Sequence, residues 1–198
     1  MSHVPPLAGQ TILITGASGG IGAAIAERLS AEGARPVIQY GRDREGAEAL
    51  HRRLGGDGLI VQADLSRPDG AFALWRDALA AAGRIHAVVN NAGIRNEISI
   101  DADPSDWRAA WQKEFQVNFF AAADLCKEAL VHFRQHGGGR IVNMASRAGQ
   151  RGYVADRLAE QLKRELGTAL GLNPRLADAA FAQAVADHDS EHLDEVAL

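Results

Sequence analysis

Thr11-Ile12-Leu13-Ile14-Thr15-Gly16-Ala17-Ser18-Gly19-Gly20-Ile21-Gly22 is the stretch that decides the fold. A short β-prone run leads into a glycine-rich turn, and the helical stretch Ala23 to Ser30 follows at once. Strand, glycine-rich turn and helix start, in that order, are what a dinucleotide pyrophosphate requires. Glycines let the backbone approach the phosphates, and the free N–H groups and dipole of the helix N-terminus hold their charge.

Outward from this turn, β-rich runs alternate with helical ones. Strands are expected at Thr11–Thr15, Arg35–Tyr40, Gly58–Gln62, Ile85–Asn90 and Gly139–Ala145, and helices at about Gly20–Ala31, Arg44–Leu54, Gly70–Ala82 and Ser105–Gln135. Strands spaced by amphipathic helices form βαβ units, hence a parallel sheet covered on both faces. Ligands of such sheets bind at the carboxyl ends of the strands, beside the first one. From Asp156 the pattern changes to an Ala-, Leu-, Glu- and Arg-rich run with Leu158, Leu162, Leu166 and Leu170 at helical spacing. Asn173 and Pro174 suit the cap and first turn of a second helix, and Ser190 caps a third piece, Glu191–Leu198. The expected division is a dinucleotide-binding domain over 1–156 and a helical tail over 157–198.

Composition narrows the class. The chain has 198 residues, of which 46% are hydrophobic, enough for one ordinary core. A net charge of −4 gives no basic footprint for nucleic acid. No apolar run reaches the length of a membrane span, and Met1 to Gln10 lacks the regions of a signal peptide, so a soluble cytoplasmic protein without membrane partners is the expectation. Cys126 is the only cysteine and is expected as a small buried hydrophobe. His188 and His192, at i and i+4, read as a solvated helix end rather than a metal site, and no metal is expected. His132 and His136 are expected to favour the dipole at the end of the long helix.

Further motifs stand at the carboxyl ends of the other strands. Asp64 follows the third strand in Val61-Gln62-Ala63-Asp64-Leu65, and Asn90-Asn91-Ala92-Gly93 closes the fourth. Asn118 lies mid-helix in Val117-Asn118-Phe119, and Ser146 follows the fifth strand in Ile141-Val142-Asn143-Met144-Ala145-Ser146. Together these resemble the short-chain dehydrogenase/reductase family, most closely its β-ketoacyl-carrier-protein-reductase-like members, over about residues 9–155. The resemblance implies an α/β, doubly wound parallel Rossmann sheet of about five strands in the order 3-2-1-4-5, here with an α-helical C-terminal tail. It implies that Gly16, Ala17, Ser18, Gly20, Ile21 and Gly22 form the pyrophosphate turn. Asp64, with Leu65 beside it, would hydrogen-bond the adenine amino group, and Asn91, Ala92 and Gly93 would border the adenosine ribose. Ser146 would orient the substrate carbonyl and Asn118 would hold a water in a proton relay. The implied partner is a small-molecule carbonyl or acyl substrate, and the long helix 105–135 would build a homo-oligomer face. Of the aromatics on that helix, Trp107, Trp111, Phe115, Phe119, Phe120 and Phe133, about half are expected to pack on the sheet.

Charge sorts the cofactor. Where an NAD enzyme of this kind carries a carboxylate for the ribose 2′-OH, the second strand ends in Tyr40 and Gly41, with Arg42 next. Nothing there repels a 2′-phosphate and Arg42 can pair with it, so NADP(H) is expected over NAD(H).

The family's chemistry also needs a Tyr thirteen residues after the serine and a Lys four beyond that. Those steps reach Ala159 and Lys163. The nearby Tyr153, with Arg157 four residues on, is the remaining candidate acid. A sixth strand with the family's Pro-Gly segment is not recognisable, which leaves a sheet edge for the tail or a partner to cover. Two readings stay open: an oxidoreductase by descent, impaired or inactive, and a non-catalytic nucleotide-binding or interaction module arising from truncation or fusion.

Overall fold

The computed structural model describes residues 5–145, which, save Ala145, belong to one compact unit spanning Met1–Met144. The helical tail expected over 157–198 lies outside the described residues, as do Ser146, Tyr153, Arg157, Ala159 and Lys163.

Five strands alternate with helices: β1 Thr11–Ile14, α1 Gly20–Ala31, β2 Arg35–Tyr40, α2 Arg44–Arg53, β3 Leu59–Gln62, α3 Gly70–Ala82, β4 Ala87–Asn90, α4 Pro104–Phe115, α5 Ala121–Gln135 and β5 Arg140–Asn143. The strands are parallel and lie in the order β3-β2-β1-β4-β5, which is the doubly wound order expected. Register is set by alternation. Leu13, Val37 and Val88 enter one core with Leu74 and Trp75 of α3 and Leu125 and Phe133 of α5. Ile12, Ile14, Ile38 and Val89 enter the other, with Ala23 and Ala26 of α1 and Ala47 and Leu50 of α2. A one-residue slip would exchange these two sets, so both cores hold the register together. Among the described residues β5 and β3 are the sheet edges.

The long helix differs from the uninterrupted one expected. Between α4 and α5 the residues Gln116–Phe120 form a π turn, in which the amide of Ala121 donates to the carbonyl of Gln116 five residues back. One residue is thereby added to the turn, and the residues of α5 that face the sheet, Ala121, Leu125, Ala129 and Phe133, are set in a phase independent of α4. The aromatic residues also differ from expectation. Phe133 is buried, but Trp107, Trp111, Phe115, Phe119 and Phe120 are exposed, because α4 contributes no buried residue and the π turn buries Val117 alone.

Two smaller expectations are corrected. His132 is buried at 6% exposure, its Nε2 accepts the Ile85 amide at 3.4 Å, and desolvation holds its pKa below the ordinary histidine value. It is therefore neutral near pH 7 and contributes no charge to the helix dipole. Cys126 is half-buried, and its neighbours are polar. Asn90 Nδ2 lies 3.4 Å from Sγ and Asn143 Oδ1 lies 3.7 Å from it, so the thiol sits in an amide cluster rather than in an apolar pocket.

Candidate functional site

The carboxyl ends of β1, β2, β3 and β4 surround a cleft of about 520 Å³. Its floor is the turn between β1 and α1. Gly16 has φ +63°, and a Cβ there would stand 2.9 Å from Ala92 Cα, so the position excludes any side chain. Ala17 is fully buried behind the turn, whereas Gly20 and Ile21 are exposed on it. A Cβ on Gly19 or Gly20 would meet nothing within 4 Å, which leaves free space above the turn. Helix α1 begins there with no side-chain cap and no acidic residue in its first turn. Its first N–H groups and its dipole therefore face that space without an internal anion to satisfy them. Helix α2 is the contrast, since Asp43 caps it by accepting the Gly46 amide at 2.9 Å and Glu45 sits in its first turn.

The turn is stitched to β4. Thr15 Oγ1 accepts the amides of Asn91 at 3.0 Å and Ala92 at 2.9 Å. Asn91 Nδ2 donates back to the carbonyls of Thr15 at 2.9 Å and Gly16 at 3.2 Å. These reciprocal bonds explain why Asn91 and Ala92 stand beside the turn, with Ala92 and Gly93 on the cleft wall.

The opposite wall comes from β2 and β3. Gly41, Arg42, Asp64 and Leu65 all line it. Asp64 Oδ1 accepts both the amide of Ser66 at 3.0 Å and its hydroxyl at 2.6 Å. Those bonds hold its pKa below the usual carboxylate value, so Asp64 is an ionised acceptor, and among the described residues no donor reaches its second oxygen. Closing the turn to Ser66 therefore leaves Asp64 able to accept from a ligand as well. Arg42 makes no ion pair among the described residues. Its neighbour Asp43 has one oxygen engaged in the α2 cap, and the end of β2 offers no carboxylate.

Asn118 lies in the π turn, and both ends of its side-chain amide are engaged. Oδ1 accepts the Ile94 amide and Nδ2 donates to the Ile94 carbonyl, both at 2.8 Å. This two-point clip ties the strand-β4 loop, with Ile94 on the cleft wall, to the helix. The second N–H of Nδ2 and the second lone pair of Oδ1 remain for a water. Asn96 reinforces the clip, its Nδ2 donating to the Ala110 carbonyl at 2.9 Å and its main-chain amide donating to Glu114 Oε2 at 3.0 Å.

One cleft residue was missed in the sequence. Gln39 of β2 is 2% exposed, with Oε1 accepting the Gly16 amide at 2.8 Å and Nε2 donating to the Ala63 carbonyl at 2.9 Å. The signal was present in Val37-Ile38-Gln39-Tyr40, because a polar side chain inside a strand covered on both faces must find partners. The catalytic candidates Ser146 and Tyr153 fall outside the described residues. Strand β5 ends at Asn143, whose Oδ1 accepts Asn90 Nδ2 at 2.8 Å, three residues before Ser146. Among the described residues no helix is long and apolar enough to cross a membrane.

A glycine-floored cleft at the carboxyl ends of a 3-2-1-4-5 sheet defines a dinucleotide-binding type of Rossmann domain. The family model for the short chain dehydrogenase matches residues 10–159, and the chain belongs to that family. Among curated relatives it is 38% identical over 146 residues to 3beta-hydroxysteroid dehydrogenase 1 of Eggerthella lenta, covering 71% of this chain and 54% of that protein. It is 36% identical over 150 residues to a short-chain type dehydrogenase/reductase of Picea abies, covering 71% and 55%. The chain thus spans about half the length of the curated relatives it matches. Among solved structures, a metagenomic short-chain oxidoreductase in complex with NADP aligns at TM-score 0.61 with 34% identity, covering 71% of this chain and 63% of that one. A short chain dehydrogenase from Burkholderia cenocepacia in complex with NADP aligns at TM-score 0.65 with 30% identity, covering 82% and 70%.

Proposed function

We propose that the chain binds a nicotinamide dinucleotide in this cleft, NADP(H) in preference to NAD(H), as an oxidoreductase acting on a small ketone or β-ketoacyl compound or the corresponding alcohol. The observation that carries the reading is an uncapped α1 start above a side-chain-free turn, with Tyr40 where a carboxylate would stand in an NAD site and, two residues on, an Arg42 that makes no ion pair among the described residues. The NADP complexes of similar structures support it.

The cleft fits the group. Gly16, Ala17, Ser18, Gly20, Ile21 and Gly22 would hold the pyrophosphate, with the α1 amides facing its charge. Arg42 would pair with the 2′-phosphate as a planar two-point donor. Asp64, ionised, would accept from the adenine amino group beside Leu65, and Asn91, Ala92 and Gly93 would flank the ribose. When bound, the nicotinamide supplies or takes a hydride. Ser146 Oγ would donate to the substrate carbonyl and orient it, Asn118 would support a relay water, and Tyr153 is the candidate that would pass a proton to the carbonyl oxygen. Self-association would use the exposed aromatics of α4 and the π turn.

A second reading, a nucleotide-binding module without turnover, is favoured by one observation. Ala159 stands where the family's spacing from Ser146 calls for tyrosine. Titration with NADPH and NADH by fluorescence, then absorbance with a ketone panel, separates the two. Tighter binding of NADPH by about tenfold, narrowed in Arg42→Ala, is expected; equal affinities would refute the cofactor assignment. Steady NADPH oxidation that disappears in Tyr153→Phe supports the enzyme, and binding without turnover supports the module.

A further inference from the structure

Building on the dinucleotide reading above, we propose that Gln39 is a positioning residue that holds the pyrophosphate turn and the adenine wall at one fixed spacing, so that the pyrophosphate and the adenine of the cofactor are bound as a unit. Three hydrogen bonds carry this. The side-chain Oε1 accepts the Gly16 amide at 2.8 Å, and the Gln39 main-chain carbonyl accepts the next amide, that of Ala17, at 2.9 Å. Two successive amides of the turn are thereby directed at one residue of β2. The third bond runs the other way: Nε2 donates to the carbonyl of Ala63, the residue before Asp64, at 2.9 Å. The turn and the Asp64 wall lie on either side of the cleft, and Gln39 itself reaches its lining.

The chemistry of the partners determines the amide's orientation. An amide N–H can only donate and a peptide carbonyl can only accept, so oxygen must face Gly16 and nitrogen must face Ala63. At 2% exposure no water can replace either bond. An apolar side chain of similar volume would leave a buried donor and a buried acceptor without partners. A ligand held at two sites at once loses affinity when the spacing of those sites changes, which makes this residue a determinant of binding although it stands behind the contact surface.

Glutamate provides the discriminating substitution. Protonated, its carboxyl reproduces the pattern, accepting from Gly16 and donating to Ala63. Ionised, it sets an oxygen against the Ala63 carbonyl and a negative charge behind the pyrophosphate turn. Burial raises a carboxyl pKa and brings this switch into the accessible range. The test is the dissociation constant of NADP⁺ for the full chain, Gln39→Glu and Gln39→Met, from about pH 8.5 to about pH 5.5, each expressed as a ratio to the unsubstituted protein. Gln39→Met is expected to bind about tenfold more weakly at every pH, a loss of about 1.4 kcal/mol. Gln39→Glu is expected to be at least as weak at the alkaline end and to recover to within about threefold at the acid end. If both variants melt earlier yet bind like the unsubstituted protein, or if the Gln39→Glu ratio is flat with pH, Gln39 is a packing residue and the inference is overturned. Should Gln39→Met not fold, the pH series on Gln39→Glu, with circular dichroism at each point, decides alone. Failure of the unsubstituted protein to bind NADP⁺ overturns the dinucleotide reading and this inference together, an outcome distinct from variants that bind as it does.

Discussion

Replacing Gly22 with alanine tests the close approach on which the cleft floor depends. On helix propensity alone the change is favourable, by about 0.8–1.0 kcal/mol. The structure predicts the opposite sign. A Cβ at position 22 would stand 2.6 Å from Asn91 Nδ2 and 2.9 Å from Ala17 Cα, and nearer still to the Gly16 carbonyl oxygen. Ordinary contact requires about 3.4 Å or more, so α1 and the turn must part by most of an ångström. That movement strains a backbone junction, for which overpacking costs of about 1–3 kcal/mol are usual. It also stretches the Asn91 bonds to Thr15 and Gly16, worth about 1 kcal/mol each. Set against the propensity gain, the net loss is about 2 kcal/mol, which for a chain of this size lowers Tm by about 4–8 °C. Thermal melts with and without saturating NADP⁺ read both consequences, because the floor that moves is also the phosphate seat. Gly19→Ala is the matched control. Its backbone is extended, nothing lies within 4 Å of its Cβ, and its melt should be unchanged. If Gly22→Ala melts at or above the unsubstituted protein, the close approach of α1 to the turn does not constrain this fold.

Three further outcomes are expected. Asn118→Ala removes both bonds to Ile94, so stability should fall by about 1–2 kcal/mol in denaturant melts and NADP⁺ should bind more weakly as the cleft wall loosens; unchanged values in both would remove the clip from the account. His132 has a folded-state pKa below its unfolded value, so its contribution to stability is complete above about pH 6.5 and is lost as pH falls from there towards the folded pKa. Tm should therefore decline on acidification from about pH 7.5 to about pH 5, and His132→Phe should flatten the slope while lowering the neutral-pH value; an unaltered slope would exclude His132, leaving His86, whose pKa is lowered likewise by burial. Phe119→Glu and Trp111→Glu, on the exposed aromatic face, should shift sedimentation towards a smaller species without lowering Tm, and identical profiles would remove that face as the site of self-association.

The sheet was legible because its signals are local and redundant. Each strand was located to within two residues, and the dinucleotide turn announced itself through glycines whose backbone needs are specific to that geometry. The π turn was not legible. Gln116-Val117-Asn118-Phe119-Phe120 contains no proline, glycine or cap, and its widening comes from long-range ties. Asn118 reaches Ile94 and Gln116 Nε2 reaches the Arg67 carbonyl at 3.4 Å, partners that no local pattern reveals. His132 misled for a related reason. Its place in the last turn of α5 suggests a solvated cation, while the Ile85 amide and the Trp75 ring, centroids 5.7 Å apart, make it a buried neutral acceptor. Gln39 was overlooked because one polar residue in a strand resembles an outward-facing position until both faces of the sheet are known to be covered. Its amide then links Gly16 to Ala63.

The single extra residue in the π turn makes the long helix a mechanical joint between two rigid rods indexed separately. Deleting one residue within 116–120 would turn the wide turn into an ordinary α turn that sweeps nearly the same angle, so α4 and α5 would keep their relative orientation while the widening itself was lost. The sheet-facing row from Ala121 to Phe133 would stay seated and α4 would keep its aim, but Asn118 would lose the wide turn that presents it to Ile94. Length here, more than residue type, encodes where the cleft wall stands. Apart from Asn118, the same segment should tolerate substitutions that preserve its count and resist any change, however mild in chemistry, that alters it.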